Sequence, residues 1–269
     1  MSLSRQISEI YQKWLPKELL GLKLQETKAT CDNCSMQKGL HRGPKFYDPK
    51  LKCCTYEPFL PNYLVGLALN DQVPARAALL KKIEKRQYAL PIGMLPSVRY
   101  QVEFNQKKEK GFGQREDWLC PYFDHQNQNC GIWAYRGSVC TSFFCKSSYG
   151  RDGLEFWQSL GDFLQHVEMS LAQEALVHLD FSPRQVVELS NFINRKEGNQ
   201  TELSRWSLPH PQAKKLWNGY YEGQIGFYQK CAKLIQSLSK KDFEEAIGEV
   251  GQRSLELLQT QANKLKPKL

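Results

Sequence analysis

Nine cysteines punctuate the 269-residue chain, and their spacing is the feature most able to do chemistry. They read Cys31-x2-Cys34, then the adjacent pair Cys53-Cys54, then Cys120-x9-Cys130-x9-Cys140-x4-Cys145, with Cys231 far downstream. Two thiolates two residues apart reach one metal from a tight turn, which is why that spacing recurs in zinc and iron–sulfur sites. A disulfide framework is the first alternative, but disulfides belong to oxidising compartments and mostly to smaller domains. Buried packing thiols are the second, and they fit poorly, because Cys31 and Cys34 sit among Asp, Asn, Ser and Lys. A thioredoxin-like redox pair needs a βαβ context, which the pattern of elements lacks. Metal ligation by Cys31, Cys34, Cys53, Cys54, Cys120, Cys130, Cys140 and Cys145 is therefore the expectation. Cys231 falls on an apolar helical stripe with Tyr228 and Ile235 and reads as packing.

Zinc takes four cysteines as a closed structural site, and a four-iron, four-sulfide cluster takes four as well. Adjacent Cys53 and Cys54 point in different directions, so they serve two metals or two irons more easily than one tetrahedral ion. An aromatic shell of Trp118, Tyr122, Phe123, Trp133, Tyr135, Phe143 and Phe144 would exclude water from an air-sensitive cluster, and would equally serve as plain core. An iron–sulfur cluster for redox or cluster-dependent chemistry is the leading expectation, and the alternative is a structural zinc module whose helical half contacts a partner protein. Arg136, inside the cysteine block, is a cofactor-binding candidate that could donate to cluster sulfurs or lower thiol pKa values, or else pair with Asp124. His41 and His125 lie between cysteines and are weighed as ligands, with a solvated turn as the plainer role. His166 and His178 read as surface or core-edge residues of a helix.

Charge follows the thiols. Residues 1–150 hold 22 Lys and Arg against 13 Asp and Glu, the whole of the net charge of +9, whereas residues 151–269 hold 15 of each. Short basic runs, KKIEKR at 81–86 and KKEK at 107–110, are each broken by a glutamate and argue against nucleic acid as partner. Thiolate-bound centres are anionic, and nearby Lys and Arg complement them. The longest apolar run, PNYLVGLAL at 61–69, is too short to span a membrane, and MSLSRQISEIYQKW lacks the apolar stretch of a secretory leader, so a cytoplasmic protein is expected. No Ser/His/Asp arrangement or phosphate-binding loop is visible, and Glu116 and Asp117 form no acid–base pair.

The elements that must position these residues are read as mainly α with a small β-hairpin. Residues 2–20 suggest a helix interrupted by Pro16, and Asp71–Leu90 a basic helix closed by Pro91. Val98–Asn105 alternates like a strand, and WLCPYF (118–123) and CGIWAY (130–135) read as partner strands around a DHQNQN turn. Trp157, Leu160, Leu164, Val167 and Leu171 keep helical spacing. Ser182-Pro183 opens a helix over Arg184–Arg195, Trp217 to Ile235 marks another, and Ser239 caps a last one. The expectation is an irregular, metal-nucleated, basic cysteine-cluster region over residues 1–150, packed as one unit with a helical bundle or buttress over residues 151–269.

The block CPYFDHQNQNCGIWAYRGSVCTSFFC (120–145) resembles the YkgJ cysteine-cluster family, described as a zinc- or iron-chelating domain of bacteria. Cys120, Cys130, Ile132, Arg136, Cys140, Phe143 and Cys145 occupy its pattern positions, and Cys31, Cys34, Cys53 and Cys54 match the amino-terminal half of the pattern. The chain departs from it in the eighteen residues between Cys34 and Cys53, in Gly137 and in Thr141. The resemblance covers roughly residues 31–145 and implies a metal centre. Flagellin lysine methylase carries a related cluster, so the resemblance also admits a cluster-dependent methyl-transfer enzyme. Expected partners are a protein or small-molecule redox partner.

Overall fold

The computed structural model describes residues 3–27, 34–36 and 46–268, and Cys31 and His41 lie outside the described residues. The described chain is mainly helical with two small antiparallel sheets. At the amino end Pro16 does more than interrupt a helix. Two single turns form instead, α1 (Glu9–Gln12) and α2 (Lys17–Leu20), and Pro16 is the N-cap of the second. Ile10 and Tyr11 of the first, Leu19 of the second and Trp14 between them are all buried.

The apolar run at 61–69 forms the short strand β1 (Leu60–Pro61) and the helix α3 (Asn62–Asn70), which is buried almost all round. Gly66 is required there, since a Cβ at that position would lie 1.9 Å from the Tyr228 carbonyl oxygen. The expected helix over Asp71–Leu90 shortens to α4 (Arg76–Glu84). Arg86 and Tyr88 adopt φ of 53° and turn the chain into β2 (Ala89–Leu90) and β3 (Gly93–Met94), with β3 central between β1 and β2.

The strand expected at Val98–Asn105 is a helix. Ser97 accepts from Tyr100 N and starts α5 (Val98–Gly111). Val98, Gln101, Val102 and Asn105 have helical spacing within the same letters that alternate, and the capping serine decides between the two readings. The paired strands around the DHQNQN turn shrink to β4 (Phe123–Asp124) and β5 (Asn129–Cys130). Trp118 and Trp133–Tyr135 lie in tight 3-10 turns instead of strands. A five-residue helix, α6 (Ser138–Ser142), carries Cys140.

Helices make up the rest. They are α7 (Gly150–His178), α8 (Pro183–Ser190), the single turn α9 (Gln200–Leu203), α10 (His210–Trp217), α11 (Gln224–Ser237) and α12 (Lys240–Leu265), the last kinked at Gly248. Ser182 with Gln185, and Ser239 with Asp242, form reciprocal caps at α8 and α12. Helix α8 stops at Ser190, short of Arg195, and a 3-10 turn over Asn218–Gly223 splits the expected Trp217–Ile235 helix. One apolar core runs from Leu3 to Leu265, with α7 through it and α12, α11, α6 and α3 packed against α7. Among the described residues no helix is long and apolar enough to cross a membrane.

Candidate metal centre

Seven cysteines, Cys34, Cys53, Cys54, Cys120, Cys130, Cys140 and Cys145, line one cavity of about 970 Å3. They come from separate stretches of chain held together by polar ties. Cys120 N donates to Cys54 O at 2.8 Å, which sets the hairpin base on the turn bearing the adjacent pair. Phe123 N donates back to Cys120 O at 3.0 Å, and Phe123 pairs with Cys130 across the hairpin. Asp48 N donates to Gly113 O, and Gly113 N to Thr55 Oγ1, both at 2.7 Å, closing the loop around the turn at 51–55. Tyr100 of α5 donates to Thr55 O and receives Glu57 N, both at 2.8 Å. All eight described cysteines are free thiols.

Cys231 is fully buried on α11 within the apolar core and does not line the cavity, as its stripe position implied. His125 is exposed at the hairpin turn, edge-on to Phe123, and is not part of the wall. The aromatic shell divides. Trp118, Tyr122 and Phe123 are buried, whereas Trp133 is 50% and Phe143 43% exposed at the rim.

Burial pushes the Cys120, Cys140 and Cys145 thiols up, and the adjacent Cys54 together with burial does the same to Cys53. Arg136 opposes this at Cys53 and Cys140, because its positive charge favours the thiolate. Its guanidinium stacks 3.5 Å from the Trp133 ring centroid and donates to Gln6 O at 2.8 Å. Asp124, the other partner considered for it, is engaged in the hairpin turn by Gln126 N and Asn127 Nδ2.

Two further features carry charge into the cavity wall. Glu168 of α7 accepts from Ser138 N at 2.6 Å, from Ser138 Oγ and from the Tyr11 hydroxyl, and burial pushes it up to about 7. It thereby pins the first turn of α6, two residues before Cys140, to the long helix. Glu57 pairs with the buried Lys82, which also donates to Leu95 O at 2.9 Å. The sequence reading misses Glu168; the signal that could have found it is a carboxylate on the apolar stripe of Leu164 and Leu171, where burial is costly unless partners are supplied.

Among the described residues no three His, Cys, Asp or Glu side chains form a group that could hold a metal ion. No protein-family model, curated protein or solved structure matches the chain.

Proposed function

We propose that the protein holds an iron–sulfur centre, a four-iron cluster in the first instance, through the cysteines of this chamber and uses it for redox or cluster-dependent chemistry. One observation carries the reading. Seven cysteines from distant parts of the chain face a common cavity, while the one whose spacing marked it as packing lies in the core.

The residues present suit the group. Thiolates are the donors such clusters use, and each iron takes its own cysteine. Ser35 lies beside Cys145, where its hydroxyl opposes the effect of burial and favours the thiolate. A bound centre would supply one-electron transfer.

The chain's own groups then have definite work. Buried thiols hold their protons, so loading expels protons and is favoured as pH rises. Arg136 offsets thiolate charge at Cys53 and Cys140, and Glu168 fixes the helix bearing Cys140. A cluster-dependent enzyme, the methyl-transfer kind included, needs room beside the centre, and the cavity of about 970 Å3 is lined by Leu95, Tyr56, Tyr100 and Phe104 as well as by the cysteines.

Purification without oxygen, with iron, zinc and acid-labile sulfide counted per chain, tests the proposal. Iron with matching sulfide and a visible spectrum that bleaches on reduction is expected. Zinc without colour would make the chamber a structural clamp, and no metal at all would end the reading.

A further inference from the structure

We propose that the chamber takes a small organic anion with a flat apolar body, an aromatic carboxylate, its ring against the aromatic side chains of α5 and Tyr56 and its charge toward Lys108 and Lys110. As a substrate class the anion rests on the enzyme reading above. As a binding site it needs only the cavity.

One helix builds the aromatic face. Tyr100, Phe104 and Lys108 follow at four-residue intervals on α5, so they share one side of it, and all three line the cavity. The Tyr100 and Phe104 rings are stacked with centroids 5.7 Å apart, and Phe104 also meets Tyr56 at 5.2 Å and Phe112 at 6.0 Å. Buried Trp118, 5.3 Å from Phe104, supports that ring without lining the cavity. Rings held in this way are fixed in advance, so a flat ligand meets a preformed surface at little entropic cost.

The polar groups left over favour an anion. Among the described residues three carboxylates line the cavity, and two are already satisfied, Glu168 by Ser138 and Tyr11 and Glu57 by Lys82. The third, Glu109, lies between Lys108 and Lys110, whose exposed ammonium groups make no ion pair among the described residues. Lys52 adds positive charge while donating to Gln128 O at 2.9 Å. The Tyr100 hydroxyl is taken up by Thr55 O and Glu57 N, whereas that of Tyr56 makes no hydrogen bond among the described residues. A cation would find two of the three carboxylates in use, while an anion finds a phenol inside and two ammonium groups where the cavity meets solvent. Lys108 and Lys110 also suit the dipole of the last turn of α5, a role that by itself would leave ligand binding unmoved.

The test is calorimetric titration, at low ionic strength, of the anaerobically purified chain with naphthoate, naphthylmethylamine and acetate, its metal counted in the same sample. Naphthoate should bind, and the amine and acetate at least about tenfold more weakly, since one carries the wrong charge and the other lacks the ring. The exposed pair Lys108→Glu/Lys110→Glu should weaken naphthoate about tenfold and strengthen the amine. Tyr56→Phe keeps the ring against Phe104 and loses only the hydroxyl, and should weaken naphthoate about fivefold. No naphthoate binding, an amine that binds as well, or a naphthoate affinity that either variant leaves unchanged overturns the proposal. Metal without naphthoate binding leaves the metal-centre reading standing, and naphthoate binding without metal ends that reading and keeps the anion site.

Discussion

The thiol-bearing stretches and the carboxy-terminal helices satisfy their backbones by opposite means. In α7 and α12, 29 and 26 residues long, the polar backbone is satisfied locally and an apolar stripe provides the burial. Between Phe112 and Tyr149 the longest regular element is the five-residue α6, and the strands are two residues each. Order there comes from ties across long sequence separations, such as Cys120 N to Cys54 O and Gly113 N to Thr55 Oγ1. Six of the seven chamber cysteines are half-buried and Cys34 is buried, where the helical stripe is fully buried. Under the proposed metal-centre reading, such a region draws part of its stability from what its thiols bind.

The comparison can be broken first at the seam. Trp157 of α7 is fully buried, lies 4.3 Å from the Phe144 ring and donates to Glu26 Oε1 at 2.7 Å. Trp157→Ala should lower stability by about 3–5 kcal/mol in chemical denaturation. If metal content falls in the folded variant as well, the two regions are energetically one.

Glu168 gives the next effect. Its folded pKa of about 7 lies above its ordinary 4.5, so the proton is bound more tightly in the folded state. The stability this contributes is complete below about pH 4.5 and is lost as pH rises through 7, on the order of 3 kcal/mol. Unfolding of wild type and Glu168→Gln across that window checks it: the variant should lose this slope, and parallel curves would show that Glu168 holds no extra proton.

Serine at Cys231 and serine at Cys120 sharpen the contrast. Cys231→Ser buries a hydroxyl in apolar core and should cost about 1–3 kcal/mol with metal content unchanged. Cys120→Ser should release metal. Equal metal loss in both would dissolve the division between core and chamber thiols. The smallest effect is expected at Ser239→Ala, about 1 kcal/mol from the lost cap of α12, with no change in metal. Arg136→Ala keeps every thiol and should shift the redox potential or lower metal content. If neither moves, the guanidinium has no role at the metal, and its contacts to Trp133 and Gln6 are structural.

Legibility tracked how local the determinants are. Ser182 and Ser239 announced their helices because a cap and its donor lie three residues apart. The Val98 segment misled because eight residues satisfied both periods, and the choice lay in Ser97 just outside the window. The hairpin around Asp124 was visible as a turn, but its strands were overread, since the aromatic residues flanking it are held by packing and tight turns. In the candidate site, the eight thiols and Arg136 stood out by type and spacing. Tyr47, Tyr56 and the Glu57–Lys82 pair did not, because nothing in their immediate neighbours distinguishes them from surface residues.

The sequence by itself determined a mainly helical chain, the separation of Cys231 from the other thiols, and the caps that start α8 and α12, because each depends on residues within one or two turns of each other. Only the tertiary structure decided that Cys34, Cys53, Cys54, Cys120, Cys130, Cys140 and Cys145 share one cavity, and that Glu168 anchors the helix carrying Cys140. Those outcomes depend on pairing between segments up to about a hundred residues apart, where the energy of a contact must offset the entropy of closing the loop between them.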